Sequence, residues 1–169
     1  MSPQDKTTPK SSSPPRSVAH GMFTVERVYK APVEAVYHAM TDLEAKARWF
    51  SGGDGYAALE RSIDVRPGGR ELLIGQWATG GKVRFDALYF DVVPNERLVY
   101  AYEMHVDDRK ISVSLATLEF SKVPGGARLK VTEQGAFLDG FDDAGSRERG
   151  TGLLLDQLGA SLEPSYPAA

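Results

Sequence analysis

The sequence predicts an α+β domain in which an antiparallel sheet lies against one long C-terminal helix. Three observations carry that expectation. Residues 146–163 place leucines at helical spacing, most of the chain before them alternates with period two between tight turns, and one short stretch after the first strand switches to helical spacing.

Taken in order, residues 1–20 are rich in Pro, Ser, Thr and Lys and poor in large apolar groups, as in Ser11-Ser12-Ser13-Pro14-Pro15-Arg16. Such a segment buries too little surface to offset its ordering entropy, so a disordered tail is expected before a single domain at 21–163, with a second short tail at 164–169. Phe23 to Tyr29 alternates and reads as a first strand. Pro32 suits a helix's first turn, and Val33, Val36, Tyr37 and Met40 follow at helical spacing. Thr41-Asp42 breaks and recaps this helix, and a second short helix is expected from Leu43 to Phe50. Ser51-Gly52-Gly53-Asp54-Gly55 is loop.

Six further strands are expected at Ala58–Val65, Arg70–Ala78, Lys82–Val93, Arg97–His105, Ile111–Lys122 and Ala127–Gln134. Their joints, including Pro94-Asn95, Asp107-Asp108 and Pro124-Gly125-Gly126, hold the residue types that accept positive φ. Such short connections exclude parallel crossovers, so the sheet is an antiparallel meander. In the last helix, at about 100° per residue, Thr151, Leu155, Leu158 and Leu162 form one stripe with Leu154 at its border. The helix spans roughly 27 Å, enough to cross a small sheet. Ser146 is its expected N-cap, and Pro164 its stop.

Composition bounds the function. The chain has 169 residues, 41% hydrophobic and 25% charged, which suits one globular domain with a real core. A net charge of −3 gives no broad attraction to nucleic acid, and the absence of cysteine removes disulfides, thiolate metal sites and thiol nucleophiles. No apolar run approaches a membrane span and no signal-peptide core is present, so the expected compartment is the cytoplasm. An exposed edge strand in a single acidic domain leaves a homodimer open.

Several stretches in this order resemble a known family. They are Phe23-Thr24-Val25-Glu26-Arg27, Ala31-Pro32 with Val36, Asp42 to Phe50, Val65-Arg66-Pro67-Gly68-Gly69, Val92-Val93-Pro94-Asn95-Glu96-Arg97-Leu98-Val99, and the helix from Gly150 to Leu162. Together they resemble the activator-of-Hsp90-ATPase homologue branch of the SRPBCC, START and Bet-v-1-like superfamily, over residues 20 to 163. The resemblance implies a helix-grip fold: a curved antiparallel sheet of about six to seven strands wrapped around the C-terminal helix, often with a cavity between them. The co-chaperone that names the branch carries an extra N-terminal domain, and no such domain is expected in the 20 or so residues before this fold.

The residues expected to line such a cavity are Trp49, Phe50, Trp77, Phe85, Tyr89, Tyr100, Tyr102 and Phe137, with Arg147, Thr151, Leu154 and Leu158 from the helix. Large amphipathic aromatics with few polar groups are what ligand pockets are made of, although the same side chains also fill packed cores. Arg147 stands out, since a cation in a helix's first turn opposes the dipole. It either clamps an anionic head group, snorkels to water or pairs with an acid such as Asp142 or Asp143. Gly150, Gly152 and Gly159 each cost the helix on the order of 1 kcal/mol relative to alanine, and Gly152 and Gly159, which share an azimuth beside the leucine stripe, are expected to let a strand approach closely or leave room for a ligand. The strand acids Glu71, Asp86, Glu103 and Glu133 are expected to face solvent. His20, His38 and His105 have no metal-ligand spacing, and no catalytic motif or cofactor is indicated.

The leading expectation is a module that binds a small hydrophobic molecule between helix and sheet. The alternatives are a polyketide-cyclase or aromatase-like enzyme, which would need Asp86, Glu103 or Tyr100 to converge on the cavity, and a chaperone-associated protein acting through its surface.

Overall fold

The computed structural model describes residues 15–163; the expectations for residues 1–14 and 164–169, including the stop at Pro164, lie outside the described residues. The order is β1 (Val18–Tyr29), α1 (Val33–Thr41), α2 (Leu43–Ala47), β2 (Tyr56–Ile63), β3 (Arg70–Trp77), β4 (Lys82–Val93), β5 (Arg97–Val106), β6 (Arg109–Val123), β7 (Gly126–Leu138) and α3 (Ala144–Leu162). All seven strands form one antiparallel sheet in the order β1-β7-β6-β5-β4-β3-β2, so the meander β2 to β7 is closed by β1 returning beside β7. This curved sheet gripping α3 is the helix-grip fold.

The first strand begins at Val18, inside the segment expected as tail, because residues 18–22 pair in register with Gln134 to Leu138 at the end of β7. That pairing satisfies backbone groups whatever the side chains. Positive φ appears where the hairpins require it, at Asn95 and at Asp107-Asp108. Asp42 recaps as expected, its side chain accepting from the Ala45 N–H at 2.9 Å. At α3 the cap is Asp143, whose carboxylate accepts from the Ser146 N–H at 2.8 Å; Ser146 is the capped residue, and the cap lies three residues earlier than expected.

The inner face of the sheet carries the core, including Val25, Tyr29, Leu98, Leu118, Leu129 and Val131, closed off by Val36 and Met40 of α1 and by Leu155 and Leu158 of α3. The long helix rests mainly on β1. Three contacts from that edge strand pin it: Tyr29 Oη donates to the Leu155 carbonyl at 2.8 Å, Arg27 Nε to Asp156 at 2.7 Å, and Arg27 Nη2 to the Gly152 carbonyl at 3.4 Å. Gly152 and Gly159 allow this approach, since a Cβ would lie 3.2 Å from Arg27 Nη2 and 3.0 Å from the Tyr29 ring respectively. A helix seated on one edge of a curved sheet stands away from the other edge, which is where space remains.

Candidate functional site: a cavity with two buried ion-pair clusters

Between the N-terminal half of α3 and strands β3 to β5 lies a cavity of about 420 Å³, within the range of about 300–1,000 Å³ usual for ligand sites. Its walls are mostly aromatic and aliphatic. Phe50 and Tyr102 meet Phe85 with ring centroids 5.2 and 4.8 Å apart, and Trp77 stacks edge-on against Tyr56 at 5.2 Å. Leu73, Val83, Met104, Leu154 and Leu155 add to the apolar lining, Met40, Leu118 and Val131 lie at its floor, and the mouth is edged by the exposed residues Gly52, Gly150, Leu153 and Gln157.

Nine of the twelve residues expected at the cavity line it: Trp49, Phe50, Trp77, Phe85, Tyr100, Tyr102, Arg147, Thr151 and Leu154. Tyr89, Phe137 and Leu158 do not. Each faces inward but is sealed by its neighbours, with Tyr89 1%, Phe137 2% and Leu158 0% exposed. Leu158 lies a turn too far along α3, where Tyr29 fills the space; Phe137 lies under Arg147, whose guanidinium sits 5.4 Å above the ring. Periodicity identifies a face and does not say where along it the packing stops.

Two ion-pair clusters flank the cavity, and here the expectation of solvent-facing strand acids fails for two of the four. Glu71 and Glu133 are buried, because each keeps the inward parity of its strand, Glu71 with Leu73 and Glu133 with Leu129 and Val131. That parity is a signal present in the sequence. Glu71 meets Lys46 Nζ at 2.7 and 2.9 Å through its two oxygens and accepts from Tyr89 Oη at 2.6 Å. Lys46 was not singled out, although it stands three and four residues before Trp49 and Phe50 on α2 and its Nζ lies 4.9 Å over the Phe50 ring. In the second cluster Arg147 Nη1 donates to Tyr102 Oη at 2.7 Å and to Glu133 at 3.2 Å, while Nη2 donates to Ser112 Oγ and Asp142, each at 2.7 Å. Tyr102 Oη donates in turn to Glu133 at 2.7 Å. Arg147 therefore pairs with acids, Asp142 among them, and its opposition to the helix dipole is compensated by side chains from β6, β7 and the loop before α3.

Charge states follow from these contacts. Burial disfavours the Arg147 cation, but Tyr102, Glu133 and Asp142 outweigh it, and its pKa is raised. Burial and the carboxylates push Tyr89 and Tyr102 up, so both remain hydroxyl donors. Asp86 and Glu103, the acids a cyclase-like site would need, are paired neighbours on the outer face, tied to Arg70 and Arg84 and to Lys110. Of the three groups that reading named, Tyr100 alone reaches the cavity.

The family model described as Activator of Hsp90 ATPase homolog 1-like protein matches residues 30–163. The chain belongs to that family. Its helix-grip architecture is shared with a Rhizobium leguminosarum protein at 42% identity and a TM-score of 0.82, covering 87% of this chain and 97% of that one. A Rhizobium loti protein matches at 43% identity and a TM-score of 0.79, covering 86% and 99%. A Chromobacterium violaceum protein follows at 28% and 0.71, covering 85% and 98%. No curated protein matches the chain. The family match starts at residue 30, so it takes in α1, α2, all of β2 to β7 and α3, the elements that build the cavity. Among the described residues no helix is long and apolar enough to cross a membrane.

Proposed function

We propose that this family member binds a small hydrophobic molecule in the cavity between α3 and strands β3 to β5. The observation that carries the reading is the cavity itself: about 420 Å³ lined by Trp49, Phe50, Trp77, Phe85, Tyr100 and Leu154. Apolar surface left open to water costs roughly 25 cal/mol per Å², so an apolar occupant is stabilised there by what it removes from water. Cations and carboxylates beside the cavity are already paired, which leaves the wall to act by shape and apolar contact.

Native mass spectrometry of the protein purified from its own host tests this, with denaturing extraction to identify what is released. The expected result is a discrete small-molecule adduct that is lost in Leu154→Trp, a substitution that fills the cavity from the half-buried side of α3. An apo mass for the wild-type chain, unchanged when apolar small molecules are added, would contradict it.

A further inference from the structure

The chemistry of the occupant is written in three neighbouring tyrosines. Tyr89, Tyr100 and Tyr102 project from the inner face of β4 and β5, with ring centroids 5.4 Å apart for Tyr89 and Tyr100 and 6.0 Å apart for Tyr100 and Tyr102. The flanking two are tethered, Tyr89 to Glu71 at 2.6 Å and Tyr102 to Glu133 at 2.7 Å. Tyr100 lines the cavity, and among the described residues its hydroxyl has no hydrogen-bond partner, nor is it sealed in the protein interior. A hydroxyl that reaches a mostly apolar cavity without a protein partner is free to bond either water or a ligand atom.

The charges around it restrict what that atom is. Lys46 is held by both oxygens of Glu71, and Arg147 by Glu133 and Asp142, so two cations face three carboxylates. Lys46, Glu71, Glu133 and Arg147 are all buried, at 3%, 4%, 3% and 8% exposure. A carboxylate or phosphate on the ligand would have to take a cation away from an acid that then stays buried and unpaired, which is strongly unfavourable. It would also bring a further negative charge to a site already carrying an excess of one.

We infer that the occupant is an uncharged apolar molecule bearing a hydrogen-bond-accepting oxygen, a carbonyl, ether or hydroxyl, which receives the Tyr100 O–H. The inference rests on the binding proposed above. Burial, together with Tyr102, Glu71 and Glu133, raises the Tyr100 pKa well above that of an ordinary tyrosine, so the group stays a donor.

Three probes of one size separate the possibilities by isothermal titration calorimetry on the full chain: 2-acetylnaphthalene, 2-ethylnaphthalene and 2-naphthoate. The ketone is expected to bind most tightly, the hydrocarbon roughly two- to tenfold more weakly for want of one hydrogen bond, and the anion weakest. Tyr100→Phe should bring the ketone down to the level of the hydrocarbon and leave the hydrocarbon unchanged. Naphthoate binding as tightly as the ketone, or a ketone-to-hydrocarbon ratio untouched by Tyr100→Phe, would overturn the inference while leaving the binding reading intact. If no probe binds wild type any better than it binds Leu154→Trp, the binding reading itself fails, and this inference with it.

Discussion

Along α3 the same helix meets the same sheet in two ways. Toward its C-terminal end Leu158, 0% exposed, belongs to the same closed cluster as Tyr29, Val36, Leu98 and Leu129, and the Tyr29 hydroxyl is fixed to a helix carbonyl. Toward its N-terminal end Gly150, Thr151 and Leu154 face Trp49, Phe85 and Tyr100 across open space. Aromatic side chains occur in both, Tyr29 in the closed region and Trp49, Phe85 and Tyr100 in the open one, so aromatic character alone does not distinguish them. What differs is the backing: the closed half has β1 and α1 against it, whereas the open half has paired charges at its sides and only the far strands of a curved sheet opposite. Aromatic content therefore marks a wall, and the elements packed behind and beside it determine whether that wall is a core or a cavity.

Substitutions can break or sharpen this contrast. The largest effect is expected at the ion pairs that frame the open half: Lys46→Met leaves Glu71 buried and uncompensated and should cost about 3–5 kcal/mol in denaturant unfolding, with part recovered in the double variant that adds Glu71→Gln. Next comes the leucine pair on α3. Leu158→Ala should cost about 2–5 kcal/mol because it empties a closed site, whereas Leu154→Ala, already beside open space, should cost about 1 kcal/mol or less. Equal costs at the two positions would mean that the halves are packed alike.

Smaller still is the glycine comparison. At Gly150 a Cβ meets nothing within 4 Å, so Gly150→Ala should stabilise by roughly 0.5–1 kcal/mol through helix propensity. At Gly159 the Cβ would stand 3.0 Å from a Tyr29 ring whose hydroxyl is tied down, so Gly159→Ala should fall below Gly150→Ala in melting temperature. Last is a pH effect at the start of the open half. Hydrogen bonds from Ser146 hold the Asp143 carboxyl below its ordinary value. A carboxyl depressed on folding contributes stability above its unfolded pKa of about 3.9 and loses it as pH falls through the folded value. Asp143→Asn should therefore flatten the acid limb of the stability profile below about pH 4 and leave its neutral region nearly parallel to wild type.

The fold was legible because its signals are local. Two-residue alternation, Asp107-Asp108 and Asn95 at positive φ, Pro32 before α1 and the leucine stripe of α3 each follow from a few neighbouring residues. The site was legible only as a face. Strand parity was enough to point Phe85, Tyr100 and Tyr102 inward, and applied equally to Glu71 and Glu133 it would have buried them too; the general tendency of strand acids to face solvent prevailed over the pattern of these particular strands. Nothing local in sequence separates Tyr100 from Tyr89, and the border position of Leu154 beside the stripe that holds Leu158 does not say that space lies next to it, since that is set by where β1 seats the helix across the sheet.

The central claim, that one half of the helix–sheet interface is open and the other closed, is tested most directly by a crystal structure under xenon pressure, since xenon enters apolar cavities and not close-packed cores. Xenon is expected among Trp49, Phe85, Tyr100 and Leu154 and not around Leu158, Leu129 and Tyr29. Side chains filling the space beside Tyr100, or xenon confined to the Leu158 side, would contradict it.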